Sequence, residues 1–545
     1  MNFIILLLLH IKDHFSLIKH NIKSSKILLN KNFHKYIKNN YNFWSKIDIL
    51  RNYNHFIAVD CTNHSASNLI QNIILAKYFQ KIYNYNILII DSIKNKNRDK
   101  IYKSFLVSDI IYLNNFWSFF KNYFIYKKEF DKIKNINEFL NNKYKKIEIG
   151  KISYDDFLRR TFLGTINKIN ILLKYLYFRC IKNTNDIELI LKKFDIKIYL
   201  THELQFNPEA ILHQYFLKNE KKVFVRGLGQ TEIGLRKFKN YSHRLHNRHS
   251  LSKNIFIKMS MMSNNFEKLG FEIIQKRFDN KTNLNDISDL SSTFNPDKKI
   301  VNKEYLTNLF LSNKNNPIVY VFANNIYDGV FEKRIYLFRD NYIWLIETLK
   351  FLCSNKKVNI FVKEHPTEHY GSKVYDKTKE IVDYFKKDNH NIVLFPNNIH
   401  PKSIVESASA IFTDHGTAGL EYSSYGIPTI ATGDSSYYRM GFTYEPKNIE
   451  QYKNLIKNIH LIRKLNPEQI KKARKFTYIF NELTRVRSSL NSYTYTTFDK
   501  NDPDYWNRLS DNLFNFDLNK CSFYRMLQIM LKKKNYNIID YNKLT

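Results

Sequence analysis

IFTDHGTAGLEYSSYGIPTI, residues Ile411 to Ile430, reads as a strand ending at His415, a turn over HGTAG, a helix opening at GLEYSSYG and a second strand at Thr429–Ala431. A strand, a helix and a second strand in that order define a parallel α/β sheet. Only 13 glycines occur in 545 residues, yet Gly416, Gly419, Gly426, Gly433 and Gly441 all fall between Ile411 and Tyr444. Such a turn predicts a site where the backbone comes close to a ligand and the helix N-terminus favours a phosphate.

The same design extends in both directions. Upstream, Ile318–Phe322, Asn359–Val362, Asn391–Phe395 and Ala410–Phe412 read as strands, with helices over Asn341–Leu352, Ser403–Ser407 and Ala418–Tyr425. These predict a doubly wound domain over 316–465. In the first half, strands at Phe56–Val59 and Asn86–Ile90 flank a helix at about Ala66–Lys81, and Ile196–Leu200 and Val223–Val225 flank a helix after Pro208. This second α/β domain is assigned to 1–300, the polar stretch KTNLNDISDLSSTFNPDKK lies in the passage between domains at about 250–317, and 466–545 forms a C-terminal helical extension. The apolar run Phe3–Leu9 is too short to span a bilayer and is expected as a buried first strand or a shallow membrane contact.

Composition narrows the function classes. With 43% hydrophobic and 15% aromatic residues the chain has ample core material, and disorder is excluded as its general state. The formal charge of +36 is spread along the chain with no recognition motif, so a nucleic-acid partner is not expected, whereas a peripheral position at an anionic inner membrane is. Cys61, Cys180, Cys353 and Cys521 have no ligand-like spacing, which predicts free thiols in a cytoplasmic, reducing compartment.

Two clusters carry chemistry. In the turn, Thr417 offers a hydroxyl to a phosphate oxygen and Glu421 an acceptor for ribose hydroxyls. In FVKEHPTEHYGS, Lys363 and His365 emerge from a strand end beside Pro366, which fixes the following turn. Two loops on one sheet rim that supply cations and backbone N–H groups predict a diphosphate or nucleotide site. Ser435, Ser436 and Tyr437 follow another strand end and read either as a donor contact or as a plain turn.

The pair K-x-HP, followed by TDHGTAGLEYSSYGIPTI and by GFT, resembles the C-terminal domain of bacterial capsule and surface-polysaccharide biosynthesis proteins. Those are similar to GT-B-type glycosyltransferases with two Rossmann-like domains, and more remotely to Kdo transferases, bacterial sialyltransferases and CDP-glycerol glycerophosphotransferases. VFANNIYDGVF resembles the first strand and loop of that domain, with Asn324 or Asn325 where the family carries His, and IGKISYDDFLRRTF and YLTHE resemble elements of the N-terminal domain. The resemblance implies a GT-B-like α/β fold, a nucleotide-sugar donor held by Lys363, His365, Pro366, His415, Gly416, Thr417, Glu421 and Ser435, and no metal or other cofactor. His365 matches the element that contacts the donor phosphate and helps the leaving group depart.

An inverting transfer also requires a base, for which Asp155 of YDD is the first choice and His202 and Asp60 are the alternatives. Asp155 reads equally as the cap of a helix starting near Asp156. Arg159 and His202 are assigned to the acceptor side, with a solvated helix face and a structural hydrogen bond as the competing readings. The expected function is transfer of a sugar from a nucleotide-sugar to a surface polysaccharide or lipid-linked glycan. A CDP-glycerol-type glycerophosphotransferase and a non-catalytic polysaccharide assembly or export protein are the alternatives.

Overall fold

The computed structural model describes residues 2–27, 31–47, 52–62, 66–227, 232–245, 249–281, 293–327, 329–332, 337–366, 368, 378–490 and 504–544. Residues 367 and 369–377 of the K-x-HP loop, and 282–292 of the polar stretch, lie outside the described residues. The chain divides into two compact units, one of Met1–Phe157, Asn167–Arg244 and Thr484–Tyr541, the other of Leu158–Ile166, Leu245–Leu483 and Asn542–Thr545.

In the first unit the β-branched and aromatic runs form β1 (Asn52–Asp60), β2 (Tyr85–Asp91), β3 (Asp109–Tyr112), β4 (Ile196–Thr201) and β5 (Lys222–Arg226). After β6 (Glu232–Ile233) comes β7 (Leu235–Phe238), and the sheet order is β3-β2-β1-β4-β5-β7. Its first five strands are mutually parallel and β7 adds an antiparallel edge. Phe3–Leu9, expected as a strand, instead lies in the helix Asn2–Ile27. Leu6 and His10 are buried one turn apart, so the spacing that decides the helix lies beyond the short run itself.

The second unit has β8 (Ile318–Phe322), β9 (Asn359–Lys363), β10 (Ile392–Leu394), β11 (Ala408–Thr413) and β12 (Thr429–Ala431), in the order β10-β9-β8-β11-β12 and all parallel. Side chains alternate between two cores, as the period of a strand requires. Val319, Val321, Ile360, Val362 and Phe412 face a cluster around Trp344 and Leu345. Ile318, Tyr320, Phe361 and Ile411 face one around Phe278, Phe310 and Tyr422. Both sheets therefore follow the Rossmann-like winding, in which the first strand is central and the fourth lies on its other side. Two Rossmann-like, doubly wound units in one chain are the α/β composition of a GT-B-like fold.

The segments between and after the sheets are allotted by packing. The helices Lys253–Ser260 and Phe266–Phe278, which the sequence division placed in the first domain, belong to the second unit. They lie against the helix Pro467–Tyr478, and a Cβ on Gly270 would stand 1.8 Å from the Arg474 carbonyl oxygen. That backbone contact admits only glycine. The helices Tyr505–Phe514 and Ser522–Lys532 join the first unit, where Trp506, Phe523 and Leu527 share a core with Phe33, Trp44 and Ile73. A strand β13 (Val486–Arg487) pairs antiparallel with β6 in the same unit.

The Gly270 contact gives a direct test. Gly270→Ala should destabilise the second unit by at least about 1–3 kcal/mol, the usual cost of overpacking, because backbone and not a flexible side chain must give way. An unchanged urea midpoint would show that the crossing is looser than described.

Candidate functional site

In open α/β sheets ligands bind beyond the carboxyl ends of the strands, at the point where the winding reverses. In the second unit that point lies between β8 and β11. Phe322 pairs with Lys363, and Val321 with Phe412, so β8, β9 and β11 end nearly level. The Ala323 N–H donates to the Lys363 carbonyl at 3.0 Å and ties the first two exits together. Asn324, Lys363, His365 and His415 are thereby placed along one rim.

On the β9 and β10 side of that rim a cavity of about 310 Å³ is lined by Thr293, Lys298, Lys363, Glu364, His365, Pro366 and Asn397. The three sequence-predicted residues of the K-x-HP element all line it. Lys363 is only 8% exposed and has no hydrogen bond or ion pair among the described residues. Burial, together with the nearby Lys298, pushes its ammonium down to about 8, while Glu364 and Glu421 pull the other way. Burial also lowers Lys298. A buried ammonium without a partner is costly, and an anion entering this cavity would supply the missing charge. Glu364 Oε2 accepts from Asn397 Nδ2 at 3.0 Å, which fixes a carboxylate on the cavity wall.

The second predicted loop sits at the switch point. His415 Nδ1 lies 2.7 Å from Asp414 Oδ2, and a carboxylate only accepts, so Nδ1 carries the proton and Nε2 is the basic nitrogen. Asp414 is itself buried and held by Thr432 Oγ1 at 2.8 Å. Asn324 Nδ2 lies 3.3 Å from the same ring nitrogen. This is an acid-oriented histidine, half-buried on the rim.

The turn itself differs from the open phosphate cradle expected. The Gly416 N–H donates to Thr413 Oγ1 at 3.0 Å, and the N–H groups of Gly419, Leu420 and Glu421 bond to carbonyls within the turn. Thr417 is exposed and makes no side-chain cap, and the helix Ala418–Ser423 has six residues, too few for a strong dipole. Gly419 is required by packing: a Cβ there would lie 1.9 Å from Tyr437 Oη, which donates to the Gly416 carbonyl at 2.7 Å. Ser435, in the turn that also carries Tyr437, is fully buried. Glu421 faces Arg277 at 2.9 Å on the helix Phe266–Phe278, so it serves an internal ion pair and not a ribose. No spacing within the motif could disclose that partner, which lies far away in sequence.

In the first unit the switch point between β1 and β4 carries Asp60 and His202. Asp60 is fully buried and accepts from Thr201 Oγ1 at 2.7 Å and Thr62 Oγ1 at 2.6 Å, and burial raises its carboxyl. His202 Nδ1 lies 3.2 Å from Asn72 Nδ2. Asp155 is buried in the middle of the helix Ile149–Thr161 and does not cap it, because the helix begins about seven residues earlier than the sequence suggests. Arg159 and Arg160 are exposed in its last turn. Lys298, Glu364, Asn397 and Asp414 are site residues that the sequence reading missed. Glu364 and Asp414 were adjacent to predicted residues, which is the only local signal they gave. Among the described residues no cluster of His, Cys, Asp and Glu is arranged to hold a metal ion.

The Lys363 environment makes a pH-dependent prediction. Its folded value of about 8 lies below the ordinary lysine value of 10.5, so between these the unfolded chain binds the extra proton and stability rises with pH. Below about 8 the full penalty applies, on the order of 3 kcal/mol. Lys363→Met should stabilise the ligand-free chain at neutral pH and flatten the slope of unfolding free energy across that window. Parallel slopes for both proteins in urea titrations would contradict the assignment.

No family model matches the chain, and no curated protein does. Among solved structures it is similar to KpsC, the beta Kdo 2,4 transferase of Thermosulfurimonas dismutans, at 10% identity over 56% of this chain and 88% of that one, with a TM-score of 0.30. It is similar to the UDP-GlcNAc 2-epimerase from Neisseria meningitidis bound to UDP-GlcNAc at 12% identity, covering 78% and 99% of the two chains with a TM-score of 0.24. A glycosyltransferase from Rickettsia africae ESF-5 matches at 12% identity, 85% and 99% coverage and a TM-score of 0.25. At these identities and TM-scores the likenesses carry no functional weight, and the chemistry of this chain is read from its own residues.

Proposed function

We propose that the chain is a glycosyltransferase that moves a sugar from a nucleotide-sugar onto a surface polysaccharide or lipid-linked glycan. One observation carries the reading: Lys363, a lysine only 8% exposed whose ammonium is held below its usual value by burial, lines a cavity with His365 and Lys298 at the carboxyl end of a parallel sheet. The donor's phosphates complete that charge arrangement. Glu364 replaces Glu421 as the carboxylate available to a donor hydroxyl.

In the transfer the glycosidic carbon–phosphate oxygen bond breaks while the acceptor oxygen bonds to the same carbon, and the acceptor proton passes to a base. Negative charge grows on the departing phosphate, and Lys363, Lys298 and His365 are placed to stabilise it without a metal. His415, with Nδ1 held by Asp414, presents Nε2 as the proton-transfer group of the rim. Asp155 remains the proposed acceptor base. Asn324 lies beside His415, so an imidazole is present at the switch point despite the departure from the family pattern, and this favours an active enzyme over a non-catalytic one. The four cysteines are buried and form no disulfide with one another, which suits a cytoplasmic enzyme.

A thermal-shift panel of CMP, CDP, UDP, GDP and ADP should give one selective increase in Tm, lost in His365→Ala, because ligand bound only to the folded state must stabilise it. His415→Ala should retain that shift and lower donor turnover by about 10²–10⁴-fold. No shift with any nucleotide at saturation would overturn the donor-site reading. Phosphorus in the polymer product would instead indicate a glycerophosphotransferase.

A further inference from the structure

We propose that the outer face formed by the helices Asn2–Ile27 and Ser118–Phe130 docks the chain onto an anionic phospholipid surface. This stands on the first unit alone and does not depend on the sugar-transfer reading. The helix Ser118–Phe130 buries Ser118, Phe119, Asn122, Tyr126 and Phe130 on one side. Its other side should be polar if water covered it. Instead Trp117, immediately before the helix, and Phe124 are 72% and 76% exposed, and Phe120 and Ile125 are exposed as well. Trp117 stacks on Phe120 at 6.2 Å between ring centroids.

The neighbouring helix continues this surface. Phe3 packs edge-on against Tyr123 at 4.7 Å and against Phe119 at 5.8 Å. The solvent side of its own helix then presents Ile4, Leu8, Lys12, Phe15 and Lys19, spaced to lie on one face. Two adjacent helices thus offer bulky apolar groups to solvent along one surface, which marks an interaction site and not scattered exposure.

Charge selects the partner. The exposed positions of both helices carry Lys12, Lys19, Lys121, Lys127 and Lys128 and no Asp or Glu. Of the acids nearby, Asp13 pairs with Arg179 at 3.2 Å and Glu129 with Lys132 at 3.0 Å, while Asp131, exposed just past the end of the second helix, is outnumbered by the five lysines. A second copy of the chain would bring the same lysines face to face and be repelled. An anionic headgroup layer attracts them, while Trp and Phe enter the boundary below it. Among the described residues no helix is long and apolar enough to cross a membrane, so the contact is interfacial.

Trp117 supplies its own reporter, because Trp44, Trp344 and Trp506 are buried. Full-length protein mixed with phosphatidylcholine vesicles containing a minority of phosphatidylglycerol should co-sediment, with a blue shift of Trp117 emission and quenching by brominated lipid. Pure phosphatidylcholine should bind it at least about tenfold more weakly, from loss of the lysine attraction. Phe120→Ser with Phe124→Ser should abolish both signals while leaving Tm nearly unchanged, since both side chains are exposed. Trp117→Phe should abolish the fluorescence signal and keep the sedimentation. Equal sedimentation of wild type and the double variant, unquenched Trp117, or a dimer in solution that the double variant dissociates would each overturn the proposal.

Discussion

The hydrogen-bonded position of β8 between β9 and β11 is the constraint on which the second unit depends. IVYVF pairs in parallel with both neighbours and is buried on both faces, so neither a register slip nor a flip is tolerated. A slip of one residue would exchange Val319 and Val321 with Ile318 and Tyr320 between two differently shaped cores. Because the register is held, three strands end together, and the residues following them meet on one rim. The chemistry of Lys363, Asn324 and His415 is thus a consequence of backbone pairing several residues away.

That rim contains both compensated and uncompensated charge. Asp414 and His415 satisfy one another, and Glu421 is paired with Arg277, so these buried groups stabilise the turn and its neighbouring helix. Lys363 has no such partner among the described residues. A local cost in an otherwise well-packed unit is the signature of a group retained for binding, since an apolar residue of similar size would serve the fold better. The same logic applies to the aromatics of the first unit, such as Trp117 and Phe124, that remain 72% and 76% exposed to water.

Much of the architecture was legible because it depends on local pattern. Ile318–Phe322, Ser403–Ser407 and Thr429–Ala431 have the bounds read from sequence, the other strands read from sequence differ by a residue or two at their ends, and the strand read as Phe56–Val59 starts four residues earlier, at Asn52. Strands buried on both faces are continuous apolar runs that polar turns interrupt. Phe3–Leu9 escaped this logic because seven apolar residues suit a strand or a helix alike. The glycine cluster was conspicuous, but its cause was not: Gly419 makes room for Tyr437, and Gly426 and Gly441 adopt positive φ values of 84° and 90°. None of these needs a ligand.

The sequence by itself determined the alternation of strand and helix, the two sheets, and the residues Lys363, His365 and Pro366 as neighbours, because each follows from spacing along the chain. Only the tertiary structure decided which helices complete each unit, that Glu421 turns to Arg277, that Asp414 orients His415, and that Lys363 is buried at the wall of a cavity. Those outcomes depend on contacts between residues remote in sequence and on exclusion of water, and neither is encoded in any local pattern.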